Sequence, residues 1–247
     1  MRPERTTLVM GGAREAHGLI TALLARRRQV IASLPEPERM FDAFPVPTRV
    51  GAFDSKDAFA DWAQAHHVST VIDASHAFDD HICEMVSSFC TRHALRYLRL
   101  LRPPWSQTVR DRWRHVPTVR HAALSIPQGA RAFTNTGWLT LPDYAEFTGQ
   151  RLFMRQTHAP SAAPPYAFVE FVEGHPPFSQ FQEQALFTEL GITHLICRNV
   201  GGAASMSKLL AARALEIPVL MIARRRPPVS HTVVDTVAEA LAWEANP

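Results

Sequence analysis

The apolar positions of this chain change period several times, and the changes mark out alternating strands and helices. Thr7-Leu8-Val9-Met10 is a short apolar run that stops at Gly11-Gly12. From Ala16 to Arg28 the apolar residues fall at helical spacing, with Leu19, Ile20, Leu23 and Leu24 on one stripe. This predicts strand, glycine turn, helix. Gln29 to Ser33 is a second apolar run, and Pro35, Pro37, Pro45 and Pro47 then predict an irregular stretch. Ser55 to His66 reads as a helix, with Ser55 as N-cap and Phe59, Trp62 and Ala63 on one face. The β-branched run Val68-Ser69-Thr70-Val71-Ile72-Asp73 predicts a strand, Ser75-His76-Ala77-Phe78 leads into a helix that reaches about His93, and Arg96 to Leu101 predicts a further strand.

Arg102 to Val116 reads as a linker rich in Pro, Trp and Arg. A second alternating series follows it. Strands are predicted at Ala132 to Thr136, Leu152 to Arg155, Ala167 to Phe171, His194 to Asn199 and Pro218 to Ala223. Helices are predicted near Pro142 to Phe147, over Ser179 to Glu189 and Met206 to Leu215, and near Val234 to Trp243. Alternation of this kind argues for parallel sheets covered by helices. The expected organisation is an N-terminal α/β lobe over residues 1–103, a connecting segment over 104–130 and a C-terminal α/β lobe over 131–247, with a ligand cleft between the lobes. No internal repeat relates the two halves.

Composition changes this picture little: hydrophobic residues are 46% and charged residues 20% of 247, ordinary for a compact fold. No apolar run approaches the length of a membrane span, and Met1-Arg2-Pro3-Glu4-Arg5 leads into a strand-like run rather than a signal peptide, so a cytoplasmic protein is expected. Cys83, Cys90 and Cys197 lack CxxC spacing, and His76 and His81 are five residues apart rather than four, so no metal site is expected. The formal charge is only +3, but all of the 26 basic residues except Lys56 and Lys208 are arginines. Guanidinium pairs bidentately with carboxylates and phosphates, which suits an acidic ligand; a codon bias toward arginine accounts for the same composition. The runs Arg26-Arg27-Arg28 and Arg224-Arg225-Arg226 fall at element ends without a recognition motif, so nucleic acid is not an expected partner.

Candidate chemistry gathers at the strand ends. Gly11-Gly12, Thr136-Gly137 and Gly201-Gly202 each follow a predicted strand, where glycine lets backbone amides approach an anion, although a tight strand-to-helix turn has the same sequence requirement. Open α/β sheets bind ligands at this edge. Asp73-Ala74-Ser75-His76 ends another strand with a carboxylate, a hydroxyl and an imidazole. These groups suit orienting a cofactor or moving a proton; equally, Asp73 or Ser75 suits capping the following helix with His76 packed over it.

Four collinear segments stand out: Gly11-Gly12-Ala13-Arg14-Glu15-Ala16, Asp73-Ala74-Ser75-His76-Ala77-Phe78, Tyr97-Leu98-Arg99-Leu100-Leu101-Arg102-Pro103-Pro104-Trp105, and Asn199-Val200-Gly201-Gly202 with Ser205 and Lys208-Leu209-Leu210-Ala211-Ala212-Arg213. In this order they resemble the precorrin-6A reductase family. The chain departs from the family pattern at Ala13, Ala77, Leu101, Arg198 and Val200, and has Pro176-Pro177-Phe178 where the family has Gly-Pro-Phe. The resemblance implies two Rossmann-like or flavodoxin-like lobes and an NADPH-dependent reduction of an acidic tetrapyrrole, precorrin-6A or its cobalt form, to precorrin-6B in vitamin B12 biosynthesis.

In that reading Gly11, Gly12, Ala13, Arg14, Ser75, Thr136, Gly137, Arg198, Asn199, Gly201, Gly202, Ser205 and Lys208 hold the cofactor. Asp73 or His76 moves the proton. Arg99, Arg102, Arg110, Arg112 and Arg114 are the candidates for the substrate's carboxylates, with Trp105 and Trp113 as candidate stacking surfaces; the alternative is a solvated basic cluster and two core tryptophans. The departures in the ligand loops motivate a second function, a catalytically inactive relative that binds a tetrapyrrole or nucleotide as carrier or regulator.

Overall fold

The computed structural model describes residues 5–36, 43–53, 55–157, 162–225, 227 and 231–246. The chain start at residues 1–4, Pro37 of the expected irregular stretch and Arg226 of the second arginine run lie outside the described residues. The chain divides into two compact units, residues 1–103 with 225–247, and residues 104–224. Among the described residues each unit carries one six-stranded sheet, and every strand pairing is parallel.

The first unit contains β1 (Thr6–Met10), α1 (Glu15–Ala25), β2 (Gln29–Leu34), β3 (Thr48–Val50), α2 (Lys56–Ala65), β4 (Val68–Asp73), α3 (Asp80–Arg92) and β5 (Arg96–Leu100), then β12 (Thr232–Val234) and α7 (Val237–Ala245). Its sheet order is β12-β5-β4-β1-β2-β3. Because side chains alternate across a sheet, Val9, Ile72, Leu98 and Leu100 enter the core beneath α1 and α7. Leu8, Met10 and Val71 enter the opposite core with Phe59 of α2 and Phe89 of α3. β1 is buried throughout, as expected of a central parallel strand covered on both faces. The Ser55 hydroxyl accepts from the Ala58 amide at 3.0 Å and starts α2 where the sequence places a cap.

The second unit contains β6 (Trp113–Val116), α4 (Val119–Leu124), β7 (Arg131–Thr134), β8 (Arg151–Gln156), β9 (Val169–Glu173), α5 (Gln180–Glu189), β10 (His194–Arg198), α6 (Ser207–Ala214) and β11 (Val219–Ile222). Short 3-10 helices at Trp138–Tyr144 and Ala203–Ser205 follow β7 and β10. The sheet order is β6-β11-β10-β7-β8-β9. One core sets Phe133, Phe153, Leu195, Cys197 and Met221 against Phe187 of α5 and Leu209 of α6. A reciprocal capping box between Ser179 and Gln182 starts α5.

Three expectations change. Residues 104–130 are not a connector: β6 and α4 belong to the second unit, and β6 pairs with β11. The C-terminal segment does not stay with residues 131–224, because β12 adds to β5 and α7 packs on α1, returning the chain to the first unit. The helix expected near Pro142 to Phe147 is the 3-10 helix Trp138–Tyr144, with Pro142 inside it.

Asp111 secures the stretch that reads as a linker. Its Oδ1 accepts from Arg213 Nε at 2.9 Å, and its Oδ2 accepts from the Thr108 amide at 2.8 Å and the Thr108 hydroxyl at 2.7 Å. Burial alone would raise this carboxyl, but the hydrogen bonds from Arg213 and Thr108 outweigh it and hold the group below its usual range. A folded value below the unfolded one, about 3.9, means the contribution is complete above about pH 5 and is lost as pH falls through the depressed value. Asp111→Asn is therefore expected to melt below wild type by a constant margin from pH 7 to about 5, and the margin is expected to shrink below about pH 4. Thermal melts across that range check it; a margin that widens on acidification contradicts the assignment.

Candidate functional site

In an open parallel sheet the crevice forms at the carboxyl ends of the two strands where the winding direction reverses. In the first unit those strands are β1 and β4, and in the second they are β7 and β10. The turns that leave them are Gly11-Gly12-Ala13-Arg14, Ala74-Ser75-His76, Asn135-Thr136-Gly137 and Asn199-Val200-Gly201-Gly202. All the strand-end turns singled out in the sequence thus sit at one of the two reversal points.

At the first reversal point the two turns touch through their backbones. Ala13 N–H donates to Ala74 O at 3.0 Å, and Ala74 N–H donates to Met10 O at 2.9 Å. Gly12 has φ +137°, and a Cβ there would stand 3.0 Å from the His76 nitrogen. Glycine here serves the close approach of one turn to the other. Gly12 and Arg14 are exposed and Ala13 is half-buried, so the turn itself is open to solvent. Glu15 opens α1 and receives Arg102 Nη1 at 2.9 and 2.7 Å on its two oxygens, so Arg102 neutralises a carboxylate of this same edge.

Beneath that edge Asp73 (0% exposed) and Arg99 (3% exposed) face each other across β4 and β5, in direct register. Arg99 Nη1 donates to Asp73 Oδ1 at 2.5 Å, to Asp73 O at 3.1 Å and to Ser75 Oγ at 2.8 Å, while Nη2 donates to His76 O at 3.1 Å. Asp73 also accepts from the Ser75 amide at 3.0 Å and from the Tyr97 hydroxyl at 2.9 Å. Burial works against the Arg99 charge, but Asp73 and the neighbouring groups prevail and raise its pKa, so it stays a cation. Burial, followed by the Asp73 charge, pushes the Tyr97 hydroxyl far up, so it stays a neutral donor.

This network redefines three candidates. Asp73 has no exposed surface and is surrounded by donors, so it holds the turn instead of meeting a substrate. Arg99 spends its donors on the turn, and Ser75 is buried beneath it. Neither Asp73 nor Ser75 caps α3, whose N-cap position is Asp79 with no side-chain cap bond. His76 is half-buried, with its Nδ1 accepting from the Phe78 amide at 3.3 Å.

At the second reversal point Gly137 has φ +88° with open space where a Cβ would project, and Gly201 and Gly202 have φ +71° and +80°. Only glycine takes these angles without strain. Asn199 is buried and exchanges two hydrogen bonds with the Trp105 backbone, accepting at 2.8 Å and donating at 3.0 Å; the Trp105 indole donates to Gly202 O at 2.8 Å. Asn199 therefore shapes the turn from behind. Lys208 is a buried cation whose Nζ donates to Ser205 O at 2.6 Å and stands 5.7 Å from the Trp105 ring centroid. Arg198 and Ser205 are half-buried at the same edge.

Trp105 and Trp113 belong to the core of this unit, which makes them packing residues. Arg112 immediately precedes β6 and so lies at the amino edge of the sheet, opposite the glycine turns. It pairs with Glu216 at 2.6 Å, and with Arg110, Arg213 and Glu216 it lines an open cavity of about 540 Å3 beside the last turn of α6. Arg114 is exposed on the same edge strand. Arg110, Arg112 and Arg114 are thus separated from the ligand edge of their own unit.

A group that the sequence does not reveal supports the β7 turn. The hydroxyl of Tyr144, fully buried, lies 2.9 Å from Thr134 Oγ1 and 3.0 Å from Thr136 Oγ1, and Thr140 Oγ1 lies 2.8 Å from both Thr136 Oγ1 and Gly137 O. Burial pushes the Tyr144 hydroxyl up to about 12, so it remains a neutral member of this ring. The residues lie 2 to 10 apart in sequence with no common period, and only the folded turn brings them together. Among the described residues there is no cluster of three or more side chains able to hold a metal ion, and no helix is long and apolar enough to cross a membrane.

Two open parallel sheets, each with a glycine-bearing reversal point, define a doubly wound, Rossmann-like class of α/β protein. Residues 6–245 match the family described as Precorrin-6x reductase CbiJ/CobK, and the chain belongs to that family of oxidoreductases. It is 30% identical over 240 residues to Precorrin-6A reductase of Rhodobacter capsulatus, covering 97% of this chain and 95% of the relative. It is 33% identical over 240 residues to Precorrin-6A reductase of Rhodococcus erythropolis, covering 96% of each. A solved structure titled CobK precorrin-6A reductase superposes with a TM-score of 0.89 at 30% identity, over 98% of this chain and 96% of that one.

Proposed function

We propose that this chain reduces precorrin-6A, or its cobalt form, to precorrin-6B with NADPH. The observation that carries the reading is that three of the four family-like segments fall at the two reversal points: Gly12-Ala13-Arg14 and His76 at one, Gly201-Gly202, Ser205 and Lys208 at the other, where Gly137 and Arg198 also lie. The residues present fit a dinucleotide. Gly137 leaves room for close approach, Lys208 supplies a charge on the same edge, and Arg198 adds a second.

When bound, NADPH supplies the hydride for one carbon of a ring double bond, and the neighbouring carbon takes a proton. The chain's own residues hold and orient. Asp73 and Arg99 fix the turn that carries His76, and Asn199 with Trp105 fixes the turn that carries Gly201-Gly202. His76, half-buried beside the exposed Gly12, is the proposed proton donor. Arg14, exposed at the same turn, is a proposed contact for a substrate carboxylate or a cofactor phosphate.

The test is His76→Ala in steady-state turnover with the dinucleotide saturating. The role predicts that turnover slows by a factor of about 100 or more while dinucleotide affinity is retained. Unchanged turnover removes His76 from the chemistry.

A further inference from the structure

We propose that Trp138 and Leu139 are substrate-contact residues, forming an apolar platform for the flat face of the macrocycle; this rests on the reduction of a tetrapyrrole proposed above. Trp138 is 39% exposed and Leu139 is 81% exposed, and Trp138 alone of the five tryptophans is exposed. They follow Gly137 directly, at the reversal point of the second sheet, and they begin the 3-10 helix Trp138–Tyr144. Singly exposed apolar side chains are ordinary, but adjacent ones at the ligand edge of a sheet mark a candidate binding surface.

This segment is not loose. Thr134, Thr136, Thr140, Leu141 and Tyr144 are all buried around the two residues, and the hydroxyl ring ties Thr140 to the Gly137 carbonyl and to Thr136. The chain is pinned before and after the platform, so its outward presentation is built in. One side of the Trp138 ring leans on Phe171 of β9, with centroids 5.3 Å apart and planes at 38°, which fixes the indole and leaves the rest of it outward. An aromatic surface held rigid in this way stacks on a conjugated ring with little loss of side-chain entropy. Trp105 and Trp113, the tryptophans that family likeness suggested for this task, are sealed in the core and present no such surface.

The experiment compares wild type, Leu139→Ser and Trp138→Ser. Macrocycle affinity is measured by equilibrium dialysis without NADPH, KM values for both substrates by turnover, and mass by size-exclusion chromatography with light scattering. The expected result is a rise of roughly tenfold in the Kd and KM of precorrin-6A for each variant, the effect of about 1.4 kcal/mol. The KM of NADPH, the melting temperature and the mass stay as in wild type. Leu139→Ser, whose side chain lies in solvent, keeps the test free of folding effects.

Unchanged macrocycle affinity in both variants overturns the proposal. So does an equal loss of affinity for NADPH, which means a distorted turn. A change of mass with unchanged affinity also overturns it and assigns the patch to a second copy of the chain. Wild type that binds the macrocycle without oxidising NADPH sinks the reductase reading, while a loss of that binding in the variants still identifies the platform.

Discussion

Arg99→Met is expected to lower the unfolding free energy by about 3–5 kcal/mol, because it leaves Asp73 as a buried carboxylate without its cation. The pair is closed to solvent, and without Arg99 the Ser75 amide and the Tyr97 hydroxyl remain as neutral donors to Asp73. For a chain of this size the loss corresponds to a melting temperature lower by on the order of 10 °C. The cost is expected to be non-additive: Arg99→Met with Asp73→Asn should recover part of the stability, since the second change removes the stranded charge. Chemical denaturation of the two single variants and the double variant measures the coupling. A single variant that unfolds like wild type would show that the Asp73–Arg99 contact is not a buried ion pair in solution.

Lys208→Met is expected to weaken dinucleotide binding by roughly 10–100-fold, the effect of removing a charged hydrogen-bond donor worth about 1.5–3 kcal/mol. Methionine keeps the unbranched shape of the side chain in its slot beside Trp105, so stability should change by less than about 1.5 kcal/mol. Calorimetric titration with NADPH, beside a thermal melt, separates the two quantities. Weaker binding with an unchanged melt places the ammonium on the phosphates. A large loss of stability with unchanged affinity instead makes Lys208 a strut for Ser205 and the helix start.

Much of the architecture is legible in the order of residues, and the exceptions have physical causes. The buried parallel strands read plainly because both faces are covered, so Leu8-Val9-Met10 and Leu195-Ile196-Cys197 are continuous apolar runs. The glycine turns read plainly because positive φ and close approach leave few substitutes at Gly12, Gly137 and Gly202. Three short edge strands do not. β3 and β12 have three residues each and β6 has four with a Trp-Arg-His-Val pattern, and such lengths carry no period. Missing β6 and β12 misplaces both unit boundaries, since β6 opens the second unit and β12 returns the chain to the first.

The site is legible in its backbone and less so in its side chains. Asp73 and Arg99 both stand out in the sequence, but each as a group for a ligand. Their pairing depends on the register of β4 with β5, 26 residues apart, and one strand position of slip would separate them. Arg112 looks equivalent to Arg102 because both lie in one basic stretch. The strand that starts at Trp113 carries it to the far edge of the sheet, whereas Arg102 stays at the carboxyl edge with Glu15. The Thr134–Thr136–Thr140–Tyr144 ring has no sequence signal, because hydroxyl clusters form from the path of a turn and not from spacing.

The most direct test of the function is a single incubation: purified chain with precorrin-6A and NADPH, following the dinucleotide absorbance and the macrocycle spectrum together. The reductase reading predicts that one NADPH is oxidised for each macrocycle reduced, with no reaction when either substrate is omitted. Tight binding of both compounds with no oxidation of NADPH would contradict it and assign the chain to carriage or regulation of a tetrapyrrole.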